Sequence, residues 1–298
     1  MKTEGKIMKK ILFATTALVA TASVAAADVT FSGYAAMGVA KIGNASAEAQ
    51  HNVDLYISAS TEADNGATFY AGMDYENNET TGDAGKASSG FESTGSRVGM
   101  KNGAFTIEFG NVDGAADKRT TEAHRLFAGI DFEFWGGVDN DDNNNILRAD
   151  YAMGDFAVSL SNSATDDATG LGVSYSMAAG GGKLGLGLGY EGSDDGDILT
   201  VSAGYDMGAL GVRAIMWQGS GTGADSAKDQ LDVSAQYSVD NVTIGVRSQM
   251  NNEIDVNVVN AFATYNLGGG VNAFVQAGER ISAGAAQDVA TAGIQFNF

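Results

Sequence analysis

Strict alternation of apolar and polar residues constrains this chain more than any other feature of its sequence. In Val242-Thr243-Ile244-Gly245-Val246-Arg247 the even positions are apolar, and the odd positions are polar or glycine. The same pattern recurs in Leu231-Asp232-Val233-Ser234-Ala235-Gln236-Tyr237 and in Ile294-Gln295-Phe296-Asn297-Phe298. A helix would place its apolar residues three and four positions apart. These segments are therefore predicted to be β-strands with one apolar and one polar face.

Sixteen segments of this kind follow one another along the chain. Most are eight to twelve residues long, close to the 9–11 residues that a tilted strand needs to cross a bilayer. The chain also has 41 glycines and no proline, and proline, which lacks a backbone N–H, is poorly tolerated in a sheet without edges. The predicted strands are 29–40, 52–63, 68–76, 95–101, 104–111, 146–153, 156–163, 170–177, 183–191, 197–207, 210–218, 229–238, 242–250, 255–266, 271–280 and 290–298.

The connections between these segments alternate between short and mostly longer. Those after the even-numbered segments are short, and Asn102-Gly103 is a strong hairpin turn because both residues tolerate positive φ. Outer-membrane barrels have this asymmetry, with short periplasmic turns and longer external loops. An even number of strands would return the C-terminus to the periplasmic side.

Aromatic residues support the same orientation. Five tyrosines precede short connections on the apolar phase of their strands, and phenylalanines open several of the strands that follow. Amphipathic rings suit the headgroup level of a membrane, so we expect one interfacial girdle. Its members are Tyr151, Tyr175, Tyr205, Tyr237, Tyr265, Phe69, Phe105, Phe156 and Phe298.

Charged residues fall on the other phase of the strands. Arginine on the lipid-facing side of a barrel costs about 2–4 kcal/mol at mid-bilayer, so this phase should line water. A soluble sandwich would instead pack its apolar residues inside, and alternation alone does not separate the two folds. The inward-facing set is Arg97, Arg148, Arg213, Arg247 and Arg280, with Asp54, Glu108, Asp150, Asp206 and Asp232.

The N-terminal residues resemble a secretory signal. Lys9 and Lys10 precede an apolar run, and Ala25-Ala26-Ala27 precedes Asp28, as in a signal peptide with an A-x-A cleavage site. We expect residues 1–27 to be the signal peptide, with Met8 as the natural start and residues 1–7 as additional residues. Removing them takes four lysines and one glutamate from the 17 basic and 37 acidic residues and leaves a net charge of about −23. Such a chain repels nucleic acid.

One interval breaks the series of strands. About thirty-four residues, 112–145, separate two strands, and loops of this length are usually functional or disordered. The interval is both apolar, with Phe127, Phe132 and Trp135, and acidic. A segment of this composition needs a surface to fold against. We expect it to fold into the lumen of a membrane β-barrel and to set the width and charge of a pore.

At this interval the chain resembles a known family. Gly110-Asn111-Val112-Asp113-Gly114-Ala115 is similar to the start of the third loop of general diffusion porins, and Arg97-Val98-Gly99-Met100-Lys101-Asn102-Gly103 is similar to the strand and turn before it. The start from Asp28 to Gly33 and the final Phe298 also fit. The resemblance is greatest to porins of photosynthetic and related alphaproteobacteria, and it covers residues 28–298.

The resemblance implies an all-β fold, a 16-stranded antiparallel transmembrane barrel with the third loop folded into the lumen. It also implies a homotrimer in the bacterial outer membrane, in contact with lipids and lipopolysaccharide, that passes small hydrophilic solutes and ions by diffusion. Acidic residues of the loop would face basic residues across the pore, and the acidic excess would favour cations. The acidic side would comprise Asp113, Asp117, Glu122, Asp131 and Glu133, and the basic wall Arg97, Arg148, Arg213, Arg247 and Arg280.

Other features of the sequence leave alternatives open. Asp139, Asp141 and Asp142 offer oxygen ligands that suit Ca²⁺; a solvated acidic loop is the competing interpretation, and the family resemblance favours Ca²⁺. Gly187-Leu188-Gly189-Tyr190-Glu191-Gly192 matches G-x-G-x-x-G but lies within a strand, so a nucleotide site is excluded and the glycines are expected to leave room on the inner wall. The alternative functions are an outer-membrane barrel enzyme, against which the absence of a Ser/His constellation argues, and a soluble β-rich binding module.

Overall fold

A computed structural model describes residues 28–79, 92–124, 126, 145–163, 165, 167–194, 196–221, 229–251, 256–282 and 284–298. They form a closed barrel of sixteen strands. The predicted signal peptide lies outside these residues and stays a prediction. The strands are β1 Asp28–Ile42, β2 Glu48–Glu62, β3 Thr68–Glu79, β4 Glu92–Asn102, β5 Phe105–Gly110, β6 Ile146–Met153, β7 Phe156–Ser163, β8 Ala168–Ala179, β9 Gly182–Ser193, β10 Gly196–Met207, β11 Leu210–Gly221, β12 Gln230–Val239, β13 Val242–Asn251, β14 Val256–Gly268, β15 Val271–Ser282 and β16 Ala285–Asn297.

Each strand pairs antiparallel with its neighbour in sequence, and β1 pairs with β16 to close the sheet. The seam between β1 and β16 runs from Tyr34 opposite Asn297 to Ile42 opposite Val289. Two further hydrogen bonds join Gly33 and Phe298, with N···O distances of 2.8 and 3.0 Å. The predicted all-β, sixteen-stranded antiparallel barrel is confirmed.

Most strands extend further than alternation predicted, and mainly at one end of the barrel. β9 and β10 are separated by residues 194–195 alone, and β15 and β16 by 283–284 alone. The expectation of mostly longer connections at this end is therefore wrong at these two places. Alternation requires an apolar environment on one side of a strand, whereas backbone pairing can continue after the side chains on both faces have become polar.

The opposite end has the compact turns that the sequence predicts. Gly103, Gly154 and Gly208 each open a two-residue turn with φ of 59°. Asp240 occupies the corresponding position before β13 with φ of 50°. Positive φ matches the twist of antiparallel strands at such turns, and glycine and aspartate tolerate it best.

The two faces of the sheet are exposed to different degrees. Large apolar side chains such as Val98, Leu160 and Ile244 are 53–58% exposed. Polar side chains of the other phase, including Arg148 and Asp232, are buried at 1% exposure. A water-soluble sandwich would bury the apolar set, so the sidedness is that expected for a barrel in lipid. The predicted girdle lies on the exposed apolar face, and eight of its members are 39–54% exposed: Tyr151, Tyr175, Tyr237, Tyr265, Phe69, Phe105, Phe156 and Phe298.

Within the described residues, no helix has the length and apolar character needed to cross a bilayer. One short helix, α1, spans Ala115–Arg119 in the long interval between β5 and β6.

Candidate functional site

The chain leaves the sheet at Gly110 and Asn111, the first residues of the loop motif. Gly110 has φ of 127°, a backbone conformation that glycine adopts readily and other residues adopt rarely. The backbone N–H of Asn111 donates to the carbonyl of Ser96 on β4 at 2.9 Å, and the Asn111 side chain lies over Gly95. This geometry directs residues 112–124 and 126 away from the end of β5 and onto the barrel wall. We call residues 112–124 and 126 the docked segment.

Helix α1 of the docked segment packs on β7, β8 and β9. Ala115 and Ala116 are fully buried. Beneath them lie Gly172 and Gly189, whose Cα atoms have no side chain to hold the helix away from the wall. All these wall residues belong to the polar phase of their strands, so the helix lies on the polar face of the barrel.

Three backbone amides of the docked segment donate to serine hydroxyls of three different strands. Ala115 donates to Ser161 on β7 at 2.9 Å, Thr121 to Ser202 on β10 at 2.9 Å and His124 to Ser234 on β12 at 2.6 Å. A buried N–H without a partner is costly, and these serines supply acceptors where no strand runs alongside. The segment therefore crosses the polar face from β7 towards β12.

Two apolar clusters hold the segment. Ala116 packs with Ile215 and Trp217 of β11. Leu126 packs with Phe262 of β14 and Phe274 of β15. Burying such side chains typically contributes about 1.5–3 kcal/mol each. Apolar contacts on an otherwise polar wall thus occur where the segment touches it.

A charged network joins the segment to the wall beside it. Arg148 of β6 contacts the carboxylates of Glu108 and Asp150, and its Nη1 donates to the backbone carbonyl of Asp113. Arg119 of α1 donates from Nε to Ser159 at 2.6 Å and from Nη2 to Asp150 at 3.2 Å. Arg148 is 1% exposed, and a buried charge is tolerated only when it is paired and hydrogen-bonded.

The predicted acidic residues are placed in different surroundings. Asp113 is half-exposed, with a carboxylate oxygen 3.8 Å from Nη1 of Arg148 and 4.0 Å from Nζ of Lys118. Asp117 is partly buried in α1, and Glu122 is exposed. The remaining predicted members, Asp131 and Glu133, lie outside the described residues. The predicted calcium ligands Asp139, Asp141 and Asp142 also lie outside them, and no group of three or more His, Cys, Asp or Glu suited to a metal occurs within the described residues.

The predicted basic wall is a set of ion pairs rather than a row of free charges. Arg97 contacts Asp74 at 2.9 Å, and Arg213 contacts both oxygens of Asp206 at 2.8 Å. Arg247 makes a buried bidentate pair with Asp232. Arg280 is partly buried, and its Nε has no hydrogen-bond partner among the described residues. Within this part of the chain, each of the other four arginines thus has a carboxylate close by.

Sequence reasoning missed the residues that hold the segment in place. Arg119, Ser161, Ser202 and Ser234 are not among the predicted site residues. One signal existed, because glycines recur at alternate positions of the polar phase in β8 and β9. The expectation that the glycines of 187–192 leave room on the wall agrees with the packing at Gly187 and Gly189.

His124 is the one histidine of the docked segment. Its Nε2 is buried, has no hydrogen-bond partner in the part of the chain that the structure describes, and lies close to Gly211, near Arg213 and Asp206. Burial lowers the pKa of His124, the positive charge of Arg213 lowers it further, and Asp206 partly opposes both. The docked imidazole therefore favours its neutral form.

The sequence profile of a Gram-negative porin family matches residues 14–282. The chain belongs to the Gram-negative porin family. Family and fold together indicate an outer-membrane barrel that acts as a passive channel rather than as an enzyme. A comparison with curated protein sequences finds no match.

Solved porin structures have the same fold. A triple mutant of Rhodopseudomonas blastica porin superimposes with a TM-score of 0.68 at 20% identity, over 91% of this chain and 100% of that porin. A second mutant of the Rh. blastica porin gives 0.67 at 19% identity over the same shares. At this identity the likeness establishes the fold alone.

Proposed function

We propose that this porin is a cation-preferring diffusion channel for small hydrophilic solutes and ions. The observation that carries the proposal is the division of the barrel wall into an exposed apolar face and a polar face on which the docked segment lies. Apolar side chains suit contact with acyl chains, and the polar face then surrounds an aqueous path. Family membership supports the channel, and the charge arrangement supports the ion preference.

The docked segment narrows this path. The contacts described above run from β6 to β15, and they are made with polar-phase positions of the wall. Polypeptide that lies on the face surrounding the barrel axis occupies space that solutes would otherwise use. We assign the constriction to residues 112–145, of which the docked segment is the described part.

Cation preference follows from the pairing of the wall arginines. Arg97, Arg213 and Arg247 are each neutralised by an adjacent carboxylate, and Arg148 has two. Little positive potential remains to repel cations, and the formal charge of the whole chain is −20. A path edged by excess carboxylates raises the local concentration of cations.

The test is the reversal potential of single channels in a planar bilayer under a KCl gradient. Wild type should give the sign expected for cation preference. Replacing two predicted constriction carboxylates, Glu122→Gln with Asp131→Asn, should reduce its magnitude. An anion-selective wild type would overturn the proposed preference, and an unchanged potential in the double variant would overturn the assignment of these two residues.

We also propose a homotrimer, seated in outer-membrane lipid and lipopolysaccharide. Small residues on the apolar phase of the early strands support it: Ala59 and Ala71 are at least partly exposed, whereas Gly33 and Ala35 are buried. Beside Ala59 and Ala71 is an apolar groove of about 560 Å³, bounded by Phe69, Val98, Phe109 and Leu147. A mass measurement in mild detergent that gives only monomer would contradict the trimer.

Calcium binding at Asp139, Asp141 and Asp142 stays a proposal from sequence. Calorimetry on the folded protein should detect Ca²⁺ binding that is lost in the triple Asn variant. Absence of heat at millimolar Ca²⁺ would dismiss it.

A further inference from the structure

We propose that four wall glycines, Gly170 and Gly172 of β8 with Gly187 and Gly189 of β9, set the width of the pore. They form a bare patch of backbone, the glycine seat, into which α1 sinks. The inference rests on the proposed role of the docked segment as the constriction. It identifies the residues that determine the largest solute the channel admits.

The seat is a compact patch created by strand register. Gly172 and Gly189 are direct cross-strand partners. Gly170 and Gly187 lie two residues from them on the same face, each on its own strand. Ala115 and Ala116, both fully buried, cover Gly170, Gly172 and Gly189, and the carbonyl of Arg119 covers Gly187. Alanine over glycine lets the helix approach the sheet more closely than any larger side chain on either partner would.

No side chain fits in the space that the seat provides. A Cβ on residue 172 would overlap the carbonyl oxygen of Ala115. A Cβ on residue 187 would lie 2.5 Å from the Arg119 carbonyl oxygen, and one on residue 189 would lie 2.7 Å from the Ala116 Cβ. Nonbonded carbon atoms prefer about 3.5–4.0 Å. Alanine at residue 187 or 189 would therefore require a shift of ~1 Å between the helix and the wall.

The direction of that shift is fixed by the sheet. The wall behind the seat is held by continuous pairing of β7, β8 and β9, whereas α1 is a single turn of helix anchored at its ends. The helix therefore moves rather than the wall, and it moves towards the path of the solutes. Glycine in a strand interior weakens the strand, so four glycines at one place are consistent with a requirement for close approach.

Gly185 provides a matched control on β9. It belongs to the same phase as Gly187 and Gly189, but the one heavy atom near a Cβ added there is the Gly204 carbonyl oxygen at 4.0 Å. Gly185→Ala changes the same residue type on the same strand and face without touching α1.

The experiment compares single-channel conductance and the size limit for uncharged polyethylene glycols in wild type, Gly187→Ala, Gly189→Ala and Gly185→Ala. Both seat variants should conduct about 1.5-fold less and exclude smaller polymers, because a helix displaced towards the path of the solutes leaves a narrower cross-section. Gly185→Ala should match wild type. Seat variants that match Gly185→Ala would overturn the proposal, and so would higher conductance, which would mean that the segment had been released.

Two further variants keep the outcomes distinct. Ala116→Val enlarges the opposite side of the contact with Gly189 and should lower conductance in the same way, so the seat remains testable if a glycine variant fails to fold. Deleting residues 115–124 tests the constriction itself and should raise conductance. No increase on deletion would refute the constriction, whereas an increase on deletion with unaltered seat variants would refute the glycine seat alone.

Discussion

Two parts of the barrel wall differ in what they present to the interior. The wall of β7–β10 carries glycine, serine and threonine at most polar-phase positions and lies under the docked segment, with Ser159, Thr200 and Ser202 at most 2% exposed. The wall of β2–β4 carries long polar residues that stay partly exposed, among them Asp54, Tyr56, Asp74, Glu76 and Arg97. Small side chains occur where polypeptide must dock, and charged ones remain where water reaches the wall. We infer that the covered wall determines pore width and the open wall contributes most to its charge.

The strongest test of this comparison removes Arg148 of β6, from the buried network that joins the docked segment to the wall beside β7, and Arg97 from the open wall. Arg148→Met removes the positive charge that pairs with the carboxylates of Glu108 and Asp150 in a buried network. Such a loss typically lowers the free energy of unfolding by about 3–5 kcal/mol. Arg97→Met breaks a partly exposed pair, with side chains 36% and 20% exposed, and should cost under about 1 kcal/mol. Urea unfolding in detergent micelles measures both. Equal losses of stability would remove the distinction between the two regions.

Ion selectivity should depend more on the open wall than on the covered wall, the reverse of the order for stability. Asp54 and Glu76 are cross-strand partners on the open wall. Asp54→Asn with Glu76→Gln should lower cation selectivity in a salt gradient while leaving the permeability to neutral solutes almost unchanged. Asp64→Asn, in the exposed turn before β3, serves as the control for the loss of an acidic residue. A double variant with wild-type selectivity would place the effective charge elsewhere than on the open wall.

Acidification should weaken the docking of the segment on the covered wall. This is the smallest of the predicted effects. The pKa of His124 is lower in the docked state than its ordinary value of 6.5, so the undocked segment binds a proton first as the pH falls. The contribution of His124 to docking is therefore fully present above about pH 6.5 and is lost as the pH falls below it. Current fluctuations should increase between about pH 7 and 5.

Replacing the imidazole provides the control for this prediction. His124→Gln cannot titrate in this range, so its current noise should not vary with pH. If its noise increases on acidification as much as that of wild type, the proton acts at another group.

Alternation was sufficient to predict the number, order and faces of the strands, because a sheet between lipid and water fixes the polarity of every second side chain. It failed at strand ends, as at residues 48–51 of β2 and 285–289 of β16, where the regular alternation is lost but strand pairing continues.

The ion pairs could have been predicted once the register was known. Asp74 and Arg97 are diagonal neighbours on β3 and β4, as are Asp206 and Arg213 on β10 and β11. Alternation alone places these arginines on the polar phase but does not indicate their partners. The docking contacts were harder to predict from the sequence. The path of the segment in three dimensions alone brings Thr121 to Ser202 and Leu126 to Phe262.

The seam between β1 and β16 has a consequence for assembly. The other fifteen pairings join strands that are adjacent in sequence, so they can form successively with little chain entropy to overcome. The last pairing joins residues near opposite ends of the chain, and until it forms, two strands present unpaired N–H and C=O groups to any neighbouring chain. We expect closure to limit the folding rate, and we expect the open sheet to be the species that aggregates unless it is shielded on its way to the membrane.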